Sequence, residues 1–584
     1  MYDFTTEQKG FLSSAGKVVL HACPGSGKTT IVAQKVINYL TSWNRPHQGI
    51  AVLSFTNVAS EEIARQAREI LPHGYDIGTP HFVGTLDSFI DNYIFLRFGY
   101  LLLETPKRPL IATNDISNGY SYWRRDCHSN GCVSNIDQFK WEENGDLSKN
   151  GNSIDCPGSG RYAPPCIQFK KMMLEKGLFF QNEIAGLTCS LLKKYPLIAK
   201  SIAERFPVII LDEAQDTSVE QMEILDLLCE AGLESIFIVG DPDQSIYEWR
   251  TADPESFMKK MHDESWSHLT LSKNFRSSQL ICNATYVFSD ILKDRCANEA
   301  KGNSANCTQK PVLLLYENGT SKDAIITRFN ELCTNNDIEI SADSVAIVTR
   351  GKIHSDYDVK DLWKTPETEF LARASYEWSH GNRRKSYEIC EKAIFQLVVK
   401  PFEKIDVSIE EDVSKVLQYD VWKQMIIDIL VSLPSADEAC GSWIQNTRNA
   451  VRISLENYGV KLRDGMVLTD ALKIKSRDTE KPNYKEFPVK VFFEKKIQSE
   501  YTKASVHGVK GETYDALLLL IESTRGTTLT PSFLASGDTS KELMRIAYVA
   551  MTRPRKLLVV AMPKSRVDLS KRFPRDKWDY VDLT

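Results

Sequence analysis

Short, wholly apolar runs recur along the chain, and each ends in small or polar residues. Residues 18–20, 50–53, 81–83, 207–211 and 235–239 form a first series. Residues 312–316, 345–349, 504–506, 516–520 and 557–561 form a second. Between them apolar residues return at helical spacing, as in Ile31, Val32, Val36, Ile37 and Leu40. Unbroken apolar strands alternating with helices predict parallel α/β sheets buried on both faces. In such sheets ligands bind beyond the carboxyl ends of the strands. Two stretches break the pattern. Residues 90–185 are polar and rich in Cys and Asn. Residues 356–485 read as mostly helical, with mixed charge and few Gly. Both read as insertions into α/β domains.

Composition narrows the class. At roughly 150 residues per domain, 584 residues suggest about four domains. Apolar residues make up 42% and charged residues 26%, an ordinary globular balance with ample core. No apolar run approaches the ~18 residues of a membrane span. The start of the chain carries Asp3 and Glu7 and lacks a basic-then-apolar leader, so a cytoplasmic protein is expected. Thirteen Cys in so long a chain do not make a disulfide scaffold. The net charge of −5 gives no overall basic field. A local basic groove for nucleic acid remains compatible with it.

The first motif follows the first apolar run. His21-Ala22-Cys23-Pro24-Gly25-Ser26-Gly27-Lys28-Thr29-Thr30 leads from a strand into a helix, which is the P-loop context. Backbone N–H groups of such a loop, with the helix N-terminus, cradle phosphate. Lys28 reaches the terminal phosphates, and the Thr29 hydroxyl can ligate Mg²⁺. Ala22 stands where the usual pattern has Gly. A Gly-rich turn without a ligand is the plainer reading of this motif alone.

Leu211-Asp212-Glu213-Ala214-Gln215-Asp216 places three carboxylates at the end of a buried strand. Opposite a P-loop, Asp212 would hold Mg²⁺ and Glu213 would polarise the attacking water. An acidic helix cap is the alternative. In Gly240–Arg250, Gln244 lies just past a strand end, where it can meet a γ-phosphate. Tyr247, Trp249 and Arg250 then offer rings and a cation, a combination suited to single-stranded nucleic acid; ordinary core packing is the rival for the two rings. Arg276, in Asn274-Phe275-Arg276-Ser277, and Arg553, at the end of residues 545–553, are candidates for stabilising charge on a transferring phosphoryl group.

Taken in order, these motifs resemble the superfamily 1 helicases of the UvrD/Rep/PcrA type. Gln8 resembles the adenine-reading Gln ahead of the P-loop. Ser54-Phe55-Thr56-Asn57 resembles the first DNA-contacting motif. Gly84-Thr85-Leu86-Asp87-Ser88-Phe89 resembles the next, with Asp87 where His is commoner. The resemblance implies ATP and Mg²⁺ as cofactors and two RecA-like domains, each carrying a mostly helical inserted domain. Domain 1A would comprise 1–89 and 186–272, with 1B at 90–185. Domain 2A would comprise 273–355 and 486–584, with 2B at 356–485. It also implies nucleotide contacts from Ala22 through Thr30, Phe275 stacked on adenine, and Glu512 near the nucleotide. DNA contacts would come from Phe55, Thr56, Asn57, Thr85, Tyr247, Trp249, Arg250 and His507. Movement along DNA would run 3′ to 5′.

The departures are local. In His507-Gly508-Val509-Lys510-Gly511-Glu512-Thr513 the Glu falls one place early, and Thr251 replaces the usual Gly. Both insertions are short, as in the compact, divergent members that include phage-defence proteins of the Gabija kind. Cys127, Cys132, Cys156 and Cys166 lack a clean zinc spacing, so free thiols are expected over a metal site. Tyr120, Tyr122, Trp123, Arg124 and Arg125 could touch DNA or form a solvated turn. The expectation is an ATP-dependent helicase acting on single-stranded and tailed duplex DNA, in repair, recombination or phage defence. The rivals are a translocating motor for a separate nuclease and a nucleotide-gated DNA sensor. After Arg553 the sequence reads as a strand and a short tail, so any cutting is expected from a partner protein.

Overall fold

The computed structural model describes residues 3–71, 77–103, 107–112, 139–141, 147–149, 152–153, 165–247, 252–350, 362–399, 409–463, 465–474, 484–493, 501–521 and 529–583. Two six-stranded, wholly parallel sheets organise them. The first contains β1 (Lys17–Ala22), β2 (Ile50–Ser54), β3 (Phe82–Thr85), β4 (Val208–Leu211), β5 (Ser235–Gly240) and β6 (Ser267–Leu271), in the order β6-β1-β5-β4-β2-β3. The second contains β7 (Val312–Tyr316), β8 (Val345–Thr349), β9 (Thr502–Ser505), β10 (Tyr514–Leu520), β11 (Pro554–Pro563) and β12 (Asp579–Leu583), in the order β9-β8-β10-β11-β7-β12.

Alternation along each central strand feeds two cores. In β1, Val18 and Leu20 face a core built with Phe11, Ile31 and Val36, while Val19 faces the opposite one with Phe89, Ile209 and Leu225. In the second sheet, Leu313 and Leu517 turn one way, and Val312 and Leu518 the other. A strand covered on both faces must be apolar at every position, which is why these strands stand out in the sequence. Two of the four edge strands do not: β6 and β12 are largely accessible and half polar, and an apolar-run criterion passes over them.

The helices that matter for the site are α1 (Thr6–Ser13), α2 (Lys28–Ser42), α3 (Asn57–Ile70), α4 (Val219–Glu230), α5 (Pro254–His262) and α6 (Glu542–Met551). Helix α1 opens with a capping box between Thr5 and Gln8. Its Glu7 accepts from Ser272 N and Oγ at 2.8 and 2.6 Å, fixing α1 to the chain that leaves β6.

The insertions differ from each other. The described residues between 362 and 489 form a helical body with its own core around Trp422, Trp443, Phe395 and Ile429. The first insertion is less uniformly helical than the resemblance implies. Beside the helix Pro165–Lys176 its described parts include short strands at Leu110–Ala112, Phe139–Trp141, Leu147–Lys149 and Leu178–Phe180. Strands of three residues are too short to show a period of two. The two ends of this insertion, at Ile90, Ile94, Phe95 and Phe179, pack into the core of the first sheet. No helix among the described residues is long and apolar enough to cross a membrane.

Candidate functional site: a nucleotide cleft between two sheets

Because the first sheet is parallel, the loops after β1, β4 and β5 emerge at one edge. After β1 the backbone turns through Gly25 (φ +73°) and Gly27 (φ +78°), the latter capping α2. Both lie in the left-handed region that favours glycine. At Gly25 a Cβ would also come within 2.6 Å of Asn274 Oδ1 and 2.7 Å of Arg276 Cβ. The P-loop is thus packed directly under the 274–277 turn, and Phe275 N donates to Gly25 O at 2.7 Å. Lys28 and Thr29 occupy the first turn of α2, where free N–H groups favour an anion. Among the described residues, buried Ser26 Oγ in this loop has no hydrogen-bond partner. A phosphate oxygen would satisfy it.

Lys28 Nζ lies 2.7 Å from Glu213 Oε1 and 3.7 Å from Asp212 Oδ1. Burial disfavours the ammonium, but Glu213 and Asp212 outweigh it and hold the Lys28 pKa above its ordinary value. Asp212 moves up, because burial exceeds the attraction of Lys28. Glu213 moves down: against burial, Lys28 and then Lys510 keep it ionised. An ionised Glu213 has the charge state a base requires. Glu213 is also held at φ +54°, a costly conformation for a residue with a side chain. Gln215 Nε2 donates to Glu213 Oε2 at 2.5 Å, and its Oε1 accepts from Asp241 N at 3.0 Å, joining the loops after β4 and β5.

The second sheet brings two arginines. Arg276 Nε donates to Thr513 Oγ1 at 2.9 Å, and its Nη1 to Thr552 O at 3.1 Å. Arg553, only 1% exposed, donates from Nη2 to Gln244 Oε1 at 2.9 Å. Burial lowers the pKa of both, and the nearby Arg553 and Arg555 lower that of Arg276 further. Arg553 is buried and Arg276 half-buried, and among the described residues neither guanidinium forms an ion pair, so a bound phosphate would supply the counter-charge.

The remaining expected nucleotide contacts are dispersed. Gln8 Nε2 donates to Ser26 O at 3.2 Å, so the residue touches the P-loop directly. Phe275 is 37% exposed, a ring available for stacking. Ala22 ends β1, and Cys23 and Pro24 are buried beneath the loop. Thr30 lies one residue further into α2 than Thr29. Glu512 is exposed, and its carboxylate acts electrostatically on Arg553 at the cleft, opposing the effect of burial there.

On the other side of the β5 turn the aromatic residues meet. Phe55 and Tyr247 have ring centroids 5.1 Å apart, and Tyr247 and His507 5.5 Å apart, so three rings span both sheets. His507 Nε2 hydrogen-bonds Ile246 O at 2.9 Å. Thr56 and Thr85 act locally as helix caps, accepting from Ala59 N and Ser88 N, and Asn57 is exposed at the start of α3. Asp87, in the position where His is commoner, accepts from Gln221 Nε2 at 2.6 Å. Trp249 and Arg250 lie outside the described residues, as do Thr251, residues 120–125, Cys127, Cys132, Cys156 and the side chain of Cys166.

Two side chains inside the motifs gain a place that sequence reasoning does not assign. Lys510 forms a buried ion pair with Asp216, donates to Gln244 O at 2.8 Å and lies 4.9 Å from the Tyr247 ring. Arg545 Nε donates to Ser245 O at 2.7 Å. Their presence inside recognisable motifs is the signal that could have marked them.

A P-loop on one parallel sheet, faced by arginines from a second, defines a P-loop protein with paired RecA-like domains. More narrowly, the chain is similar to the UvrD/Rep helicases: residues 4–265 match the UvrD/REP helicase N-terminal domain. It is similar to Gabija protein GajB of Bacillus cereus (strain VD045), with 30% identity over 286 residues, 48% of either chain. It is similar to ATP-dependent DNA helicase PcrA of Bacillus subtilis (strain 168), with 27% identity over 53% of this chain and 41% of PcrA. A probable DNA helicase of Mycoplasma pneumoniae is 24% identical over 61% of this chain and 69% of its own. The matches thus span about half the length of the first two relatives.

Proposed function

We propose that the protein hydrolyses ATP to move 3′ to 5′ along single-stranded DNA and to unwind duplexes that carry a single-stranded tail. The observation that carries this reading is the segment after β5. Within four residues it runs from Gln244, joined to Arg553 at the nucleotide cleft, to Tyr247, whose ring lies between those of Phe55 and His507. One short element therefore touches both the expected nucleotide site and the expected DNA surface.

In this reading the P-loop from Ala22 to Thr30 cradles the phosphates, and Lys28 exchanges its contact with Glu213 for the terminal phosphates. Thr29 and Asp212 would hold Mg²⁺, which supplies charge neutralisation on the phosphate oxygens. Freed from Lys28, Glu213 accepts a proton from the attacking water. Arg276 and Arg553 meet charge that grows on the transferring group, and Gln244 senses its presence. Gln8 and Phe275 bind the base, with Glu512 at the margin. Phe55, Tyr247, His507 and Trp249 support the bases of DNA, while Thr56, Asn57, Thr85 and Arg250 meet its backbone. The division into 1A, 1B, 2A and 2B given above belongs to the same proposal.

The experiment is ATPase activity with and without single-stranded DNA, measured beside strand displacement from duplexes with 3′ or 5′ tails. DNA-stimulated ATPase with displacement only from 3′ tails is the expected result. No stimulation by DNA overturns the reading. The similarity to Gabija protein GajB supports a role in phage defence, for which the rival arrangement is a translocating motor acting with a separate nuclease. ATP-driven movement without strand displacement would favour it.

A further inference from the structure

The segment that follows β5 is covalently part of the first sheet's unit, yet its side chains and carbonyls are held mainly by the second. Ile246 is fully buried in the core built on the second sheet, with Leu313, Val348 and Tyr548. Gln244 Oε1, Gln244 O, Ser245 O and Ile246 O are met by Arg553, Lys510, Arg545 and His507 respectively. Asp243 begins this series. Its carboxylate is 4% exposed. It accepts from Ser289 Oγ, from Asp290 N at 2.8 Å and from Ile291 N at 3.4 Å. All three donors lie in one turn on the far side of the seam.

That turn leads on to α6. Asp290 Oδ1 accepts from Thr539 Oγ1 at 2.5 Å and from Lys293 Nζ at 2.7 Å, and Lys293 Nζ also donates to Thr539 Oγ1 at 2.9 Å. Thr539 lies just ahead of α6, and Arg553 lies just beyond its end. The segment is therefore fastened before α6 through Asp243 and Asp290, within α6 through Arg545, and after α6 through Arg553. A buried carboxylate is retained at low cost only when its lone pairs are filled by hydrogen bonds. Here the donors are a hydroxyl and two backbone N–H groups of a single turn, a geometry that fixes direction as well as distance.

We propose that Asp243 is a positioning residue that anchors the Gln244 segment to the second sheet's unit, so that Gln244 and Arg553 move together when the cleft opens and closes. Asp243 touches neither nucleotide nor reacting atoms. It acts through Gln244, one residue on. On the first-unit side the opposing ties are fewer: Ser245 Oγ donates to Gln215 O at 3.0 Å, and Asp241 accepts from Gln244 Nε2 at 2.6 Å, Gln244 N at 2.9 Å and Asp243 N at 3.1 Å. The inference rests on the hydrolytic reading above, and its test separates the two.

The test is a double-mutant cycle on kcat for DNA-stimulated ATPase, with KM for ATP and Tm measured on the same preparations. The variants are Asp243→Asn, Gln244→Ala and the pair together. Asp243→Asn is expected to lower kcat on the order of 10-fold, with KM within about 2-fold of wild type. In the Gln244→Ala background the same substitution is expected to lower kcat no further, because the residue it positions is gone. An equal loss of kcat in both backgrounds, or a rise in KM with kcat unchanged, overturns the inference. Should Asp243→Asn fail to fold, Ser289→Ala keeps both backbone donors and takes its place in the same cycle, with the same two outcomes deciding. Wild-type protein without ATPase would overturn the hydrolytic reading itself. Active wild type with an additive cycle would overturn only the role of Asp243.

Discussion

At the scale of single residues, the cleft holds two carboxylates and one lysine in mutual contact, and their division of charge carries the expected chemistry. Lys28 lies closer to Glu213 than to Asp212, which keeps Glu213 ionised while burial raises Asp212. Glu213→Gln is therefore expected to bind ATP and to lose turnover by about 100-fold or more, since an amide accepts no proton. Lys28→Ala is expected to lose nucleotide affinity as well. Equilibrium binding of a fluorescent ATP analogue beside steady-state ATPase distinguishes them, and wild-type turnover in Glu213→Gln would remove the residue from its role. Arg276 and Arg553 differ in kind, because they face charge that grows during transfer. Alanine at either position is expected to lower kcat on the order of 10³-fold with a much smaller change in nucleotide affinity. A variant that binds weakly and turns over normally at saturation would contradict this.

At the scale of elements, the turn after β5 is a polar segment threaded through the seam between two parallel sheets. Its rings and its glutamine are too close in sequence to act independently. Trp249 lies five residues beyond Gln244 on this segment. Trp249→Ala is expected to keep basal ATPase and to lose most DNA stimulation, because stacking on an aromatic is worth roughly 1–3 kcal/mol per base. Melting temperature and ATPase with and without DNA, on one preparation, separate this from a collapse of packing. A stable variant with full stimulation by DNA would end the stacking assignment. The strands themselves were legible wherever both faces are covered. Residues 18–20 and 516–520 announce themselves because no polar residue is tolerated there. The half-polar β6 and β12 do not, because an edge strand faces solvent on one side.

At the scale of the whole molecule, the two units are joined by buried contacts among the described residues, and the Lys510–Asp216 ion pair is one of them. Lys510→Met leaves Asp216 buried without its counter-ion, for which about 3–5 kcal/mol of destabilisation is expected. Adding Asp216→Asn is expected to recover most of the lost stability without recovering DNA stimulation, because the contacts of Lys510 to Gln244 O and Tyr247 stay absent. Thermal melts of the single and double variants, read beside DNA-stimulated ATPase, test both halves. Full recovery of both would make the pair merely structural.

The sequence by itself determined the paired α/β architecture, the P-loop, the carboxylates after β4 and the order of motifs that resembles the UvrD/Rep helicases. Those features depend on neighbours in the chain: alternation along a strand, a loop of fixed length, a helix that starts where its cap stands. Only the tertiary structure decided which groups meet across the seam. Arg553 reaches Gln244 over 309 residues, and Lys510 reaches Asp216 over 294. Asp243 is held by a turn that begins 46 residues later. Such pairs carry no period and no spacing, because they are set by how two separately folded sheets pack and not by the geometry of either one.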